Sequence, residues 1–196
     1  MPNWCFNQLE IVGSNTQLLN ALELLKEEGK KELTFNIAKP QPHNLYKDSI
    51  SSDDVEKLNA AGIPNWYDWN IYNWGTKWDA CNSYIDLQDE FLDITFETAW
   101  SPPIGWFYAL VDRLKEKKID VRVLLKYHEE GMGFCGSILM EEDYELYEYE
   151  GAIKLIQEDV GYDVSYDEKL GQYRNEKGQF VKYDSVINDF DYGIDL

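Results

Sequence analysis

Cations are scarce in this chain. Against 37 Asp and Glu, its 196 residues hold 18 Lys and Arg, a net charge of −19. That balance opposes attraction to phosphate backbones and anionic lipid, so neither direct duplex nucleic-acid binding nor a membrane surface is expected. Cysteine is scarcer still: Cys5, Cys81 and Cys135 are odd in number, widely spaced and without a CxxC pair. With His43 and His128 the only histidines, the partners for a zinc site are too few, and the three read as reduced, mostly buried thiols. No segment approaches the roughly 18 apolar residues of a membrane span. Met1 to Gly13 has neither the basic start nor the apolar run of a signal peptide, which sets the expectation of a cytoplasmic protein. A GxSxG elbow, a phosphate-cradling glycine loop and an HExxH helix are all missing. The sequence therefore predicts a non-enzymatic protein with no catalytic residues, no metal and no cofactor.

What is present is a folding composition. Hydrophobic residues make up 44% and aromatic residues 15% of the chain, too much for a disordered acidic tail even at a mean hydropathy of −0.52. Trp4 to Val12 places Cys5, Leu9 and Ile11 on one face of a first strand. Ser14 and Gln17 then make a capping box for a helix carrying Leu18, Leu22 and Leu25, closed by Gly29. Leu33, Phe35 and Ile37 alternate with polar residues as a short second strand. Leu92, Ile94, Phe96 and Thr98 form a strand with one wet face. Ser101 as N-cap and Pro102 at the first helical position open a second helix with a stripe of Ile104, Phe107, Leu110, Val111 and Leu114. Val121 and Val123, with Ile119 and Leu125, and then Phe134 to Met140, supply the last strand pair.

This order, β-α-β, insertion, β-α-β-β, predicts an α+β fold: a ferredoxin-like antiparallel sheet with two helices on one face. The expected core is Leu9, Ile11, Leu22, Leu25, Phe35, Ile94, Phe96, Phe107, Leu110, Leu114, Val121 and Val123. The ferredoxin-like domain is placed at 1–140, with a Trp-rich insertion at 40–89 in which Trp66, Trp69, Trp74 and Trp78 fall close together and a short helix runs from Ser52 to Ala61. Residues 141–196 carry 16 of the acidic and 5 of the basic side chains and form an acidic C-terminal appendage. Gln172 to Tyr183, with Gly178 at a left-handed turn position, predicts a hairpin in it.

Three stretches carry a family likeness: the opening Met1-Pro2-Asn3-Trp4-Cys5-Phe6-Asn7 running on to Gly13, the block Asn73-Trp74-Gly75-Thr76-Lys77-Trp78-Asp79-Ala80, and Phe96-Glu97-Thr98-Ala99-Trp100-Ser101-Pro102-Pro103. With Tyr127 to Gly136, in which Glu130-Gly131 and Phe134-x-Gly136 also fit, the chain resembles the YubB-type ferredoxin-like family of phage and plasmid proteins from Met1 to about Met140. The resemblance implies a ferredoxin-like fold, a mobile-element origin and a host-cell location. It brings neither an activity nor catalytic residues.

Two surfaces are candidates for function. In the acidic appendage, Glu141, Glu142, Asp143, Glu145, Glu148 and Glu150 interleave with Tyr144, Tyr147 and Tyr149. Such a face imitates phosphates to a basic host protein or nucleic-acid-processing or defence complex, and its alternative reading is a solvated element kept for solubility. In the insertion, Trp74 and Trp78 with Asn73, Lys77 and Asp79 suit a platform that stacks a small polar molecule or a single-stranded nucleotide. The alternative there is that large side chains pin an aperiodic insertion onto the sheet. A metal-assisted enzyme using Asp79 and Asp86 has no support from spacing.

Overall fold

The structure, a computed structural model, describes residues 3–49 and 51–141, together with the strand backbones of 146–152, 165–167, 172–174 and 180–181. Strand β1 (Trp4–Val12) is followed by helix α1 (Asn15–Leu22), α2 (Ser52–Ala60), α3 (Trp66–Trp74), β2 (Cys81–Leu87), β3 (Phe91–Ala99), α4 (Ile104–Lys117), β4 (Arg122–Glu129) and β5 (Phe134–Met140). Strands β6 (Leu146–Ala152), β7 (Ser165–Asp167), β8 (Gln172–Arg174) and β9 (Phe180–Val181) follow among the described residues. Six strands form one sheet in the order β2-β3-β1-β4-β5-β6, and β7-β8-β9 form another. β1 runs antiparallel to both β3 and β4, and β2 antiparallel to β3. The order β2-β3-β1-β4 around α1 and α4 is the split βαβ arrangement of a ferredoxin-like fold.

The chain divides into two units, Met1–Glu129 with Gly136–Tyr149, and Glu130–Cys135 with Glu150–Leu196. The first holds the ferredoxin-like core and the second the small sheet, in which β8 pairs antiparallel with both β7 and β9. Among the described residues no helix is long and apolar enough to cross a membrane.

The core follows from strand alternation. Leu9 pairs with Ile94 and Leu125, and Ile11 with Leu92 and Val123, so these side chains share the face on which the helices lie. All are buried, as are Phe107, Leu110 and Leu114 of α4. Of the expected core only Leu22 is half-buried, because it closes α1. That helix is shorter than its sequence promises: Ser14 makes no side-chain cap, and the chain leaves α1 through tight turns, Leu24 N to Ala21 O and Leu25 N to Leu22 O, that carry Leu24 and Leu25 inward. α4 likewise starts at Ile104 rather than Pro102, since Ser101 donates its hydroxyl to Gly75 O at 2.6 Å.

The second strand is the main correction. Leu33 to Ile37 is not a strand: Phe35 to Ala38 form a turn, closed by Lys39 N on Phe35 O at 2.9 Å. Its alternation reflects Leu33 and Phe35 dipping into the core, where Phe35 stacks at 4.5 Å on Trp106 and meets Trp74 and Phe96 edge-on. The strand that fills the ferredoxin-like position is β2, at 81–87, inside the stretch read as an insertion. The irregular segment therefore lies between α1 and β2.

Candidate functional site

The block Asn73 to Ala80 is built into the fold side chain by side chain. Asn65 caps α3, accepting from Asp68 N at 2.9 Å, and Gly75 ends it at φ 86°, a left-handed value that glycine adopts without strain. Trp74 is 1% exposed and donates its indole N–H to Lys39 O at 2.9 Å. Asn73 donates to Trp69 O, and Thr76 to Ala99 O. Asp79 accepts from Phe35 N and Thr34 Oγ1 at 2.7 Å, from Ala80 N at 2.8 Å and from Asn36 Nδ2 at 3.2 Å. The Lys77 ammonium lies 4.9 Å from the Trp78 ring centroid and 5.6 Å from that of Tyr67, two cation–π contacts. Trp78 is half-buried beside Trp4, centroids 6.1 Å apart.

The opening motif is used in the same way. Asn7 is buried and donates to Cys5 O and Thr98 Oγ1, both at 2.9 Å, while Thr98 donates to Ser101 O. Cys5 and Cys135 are free, buried thiols. Burial first, with the Glu129 carboxylate adding, pushes the Cys5 thiol up to about 12, and burial pushes Cys135 to about 11. Cys81 is raised too, by burial and then by Asp79 and Glu97. None of the three is a thiolate at neutral pH. His128 stacks on Phe6 at 5.0 Å, and burial lowers its imidazole to about 3, so it is neutral at pH 7. Among the described residues no group of His, Cys, Asp and Glu is placed to hold a metal ion.

Strand register brings together what the sequence keeps apart. On the sheet face opposite the helices, Asp86 of β2 lies directly across from Asp93 of β3, and Asp93 across from Glu10 of β1. Glu10 pairs with Lys126 at 2.8 Å. Asp93 accepts from Gln8 Nε2 and Asp86 from Gln88 Nε2, at 3.0 and 3.1 Å, so these two opposed carboxylates face each other with no cation between them among the described residues. On the same face Glu97 accepts from Asn82, and the rings of Tyr84 and Phe6 are 66% and 41% exposed. This acidic and aromatic face emerges only from pairing; the alternation of Leu92 to Thr98 signalled a wet face without showing what lay beside it.

Of the residues assigned to partner binding, Glu141 is engaged by Arg122 through two hydrogen bonds of 2.7 and 3.0 Å. Glu142, Asp143, Tyr144 and Glu145 lie outside the described residues. Tyr147, Glu148 and Glu150 fall on β6, described as backbone.

The topology and the core define the class, a ferredoxin-like α+β domain. Residues 73–161 match the model of a family described as "Ferredoxin-like domain in Api92-like protein". The crystal structure of a protein api92 from Yersinia pseudotuberculosis is similar at a TM-score of 0.48 and 11% identity, over 78% of this chain and 98% of that one. A search of the curated proteins gives no match. The match over 73–161 supports the ferredoxin-like part of the resemblance read from the sequence, as a domain similar to that of Api92-like proteins, and does not extend to the YubB-type assignment or a phage or plasmid origin.

Proposed function

We propose that this chain is a non-enzymatic binding protein that engages a basic partner protein through an acidic, aromatic face. In this reading it is an accessory protein of a mobile element, the origin that the family resemblance implied, and it blocks a host nucleic-acid-processing or defence complex. The observation that carries the reading is the opposed pair Asp86 and Asp93 beside exposed Tyr84 and Phe6. Like charges directly across a ladder cost stability, so a basic ligand that relieves them gains twice, from new attraction and from removed repulsion. Exposed rings next to carboxylates suit arginine, which stacks on aromatic faces and forks onto carboxylates. The acidic stretch from Glu141 to Glu150, expected from the sequence to bind the partner, carries the same sign of charge. The ammonium of Lys126 and the guanidinium of Arg122 are already matched by Glu10 and Glu141, which leaves the negative charges of the face in excess.

Affinity capture from host lysate followed by kinetics with the captured protein tests this. The expected outcome is a basic protein whose association rate falls as ionic strength rises, and falls again on Asp86→Asn with Asp93→Asn. An association rate indifferent to both salt and the double substitution would remove the acidic face from the reading.

A further inference from the structure

A cleft of about 450 Å³ opens between α3, α4 and the loop that follows the Phe35 turn. We propose that it binds a nucleoside monophosphate whose base carries an exocyclic amine. The proposal does not depend on the acidic sheet face. It places ligand stacking at Trp69 rather than at Trp74 and Trp78, with Asn73 common to both sites.

The cleft is assembled by helical spacing. Ala109, Asp112, Arg113 and Glu116 recur along one face of α4 and form its floor, the small Ala109 leaving room. Trp69 and Asn73, one turn apart on α3, form a wall, and Lys39 lies on the loop. The two helices are locked in place: a Cβ on Gly105 of α4 would sit 2.6 Å from Asn73 O. The cavity is thus backed by close backbone packing, and its volume lies in the range of small-molecule sites.

Its chemistry has three parts. Trp69 supplies a half-buried indole for a planar ring, held edge-to-face against Trp74 at 5.5 Å. Arg113 is anchored by Nε donating to Ala38 O and by an ion pair with Glu116 at 2.9 Å. Those contacts leave three of its five N–H donors available. Lys39 adds an ammonium that makes no ion pair or hydrogen bond among the described residues. Together they suit a phosphate monoester. Among the described residues neither the Asp112 carboxylate nor the Oδ1 of Asn73 has a hydrogen-bonding partner, while Asn73 Nδ2 donates to Trp69 O. Both are acceptors, which fits a base that presents an N–H₂ group. Ligands that use ring, cations and acceptors together are the monophosphates of adenosine, cytidine and guanosine, each with an exocyclic amine that uridine lacks. The overall charge of −19 lowers the on-rate of any anion but is screened beyond about 8 Å at physiological salt, leaving the local cations to act.

Calorimetric titration of the full chain at physiological ionic strength, with AMP, CMP, UMP, adenosine and inorganic phosphate, tests the site. AMP and CMP should saturate, with UMP, adenosine and phosphate each about tenfold weaker or worse. Lys39→Gln should weaken AMP about tenfold and leave adenosine unchanged, and Asp112→Ala, which removes the acceptor, should abolish the preference for AMP over UMP. Asp112 is exposed and Lys39 half-buried, and a matching thermal midpoint shows that each variant is folded. No saturation by AMP up to about 10 mM overturns the proposal. So does phosphate binding as tightly as AMP, or AMP affinity untouched by both substitutions.

Discussion

Asp79 holds four donors from two segments, and Trp74 fills the core with its one polar atom satisfied. Both were legible in sequence as members of a distinctive block whose side chains could pin the insertion onto the sheet, but the groups they hold were not, because a motif records which side chains recur and not what they touch. His128 is the converse case, a residue set aside on count alone whose environment matters. Its folded-state value of about 3 lies below the ordinary 6.5, so between those pH values the unfolded chain binds a proton that the folded chain refuses. Stability is therefore level above about pH 6.5 and falls as the pH drops through that window. From pH 6.5 to 5 the loss is at most about 2 kcal/mol, since each unit contributes about 1.4 kcal/mol. Urea midpoints at pH 7 and 5 should show this loss in the native chain and a smaller one in His128→Phe, which keeps the ring stacked on Phe6 but cannot titrate. Equal losses in the two proteins would mean that another group carries the acid sensitivity.

At the scale of elements, legibility follows burial contrast. β1, β3 and α4 have one buried and one wet side, so periodicity marks them, and their core residues are where the pattern places them. β2 lies at the sheet edge with a bulge between Cys81 and Tyr84, and none of its side chains is fully buried. Its sequence therefore lacks the alternation that Leu33 to Ile37 shows for a different reason. α3 was hidden by composition, since five of its nine residues are Trp or Tyr, weak helix formers whose bulk masks a stripe. Its caps were the readable signal: Asn65 with Asp68 three residues on, and Gly75 just past the end. The α3–α4 contact makes a sharp prediction. Gly105→Ala should raise helix propensity by about 1 kcal/mol, but its methyl would meet a backbone carbonyl at 2.6 Å that cannot rotate away. The net should be a loss of about 1–3 kcal/mol in chemical denaturation, as for overpacking. A gain would mean that the two helices do not approach so closely, and would loosen the cleft with them.

At the scale of the whole molecule, charge works against the fold that the core sustains. Composition fixes the excess of 19 negative charges, but only the register of β2, β3 and β1 sets Asp86, Asp93 and Glu10 in one row, from positions up to 83 residues apart in sequence. No reading of the chain in order could have placed them. Glu10 is matched by Lys126, so the uncompensated pair is Asp86 and Asp93, which costs about 0.2–1 kcal/mol, a cost that grows when salt is removed. Raising ionic strength from about 0.01 to 0.15 M shortens the screening length from about 30 to about 8 Å and should stabilise the native chain. Asp86→Asn with Asp93→Asn should stabilise it by some tenths of a kcal/mol at low salt and flatten its salt dependence, the amide oxygen of residue 93 still accepting from Gln8. Denaturant midpoints of the two proteins at both salt concentrations measure this. If the double variant is no more stable, the row carries no repulsion for a partner to relieve, and the charge of the face reduces to solubility. If it is more stable and associates more slowly, the same two carboxylates weaken the fold and strengthen binding, a combination that solubility alone does not produce.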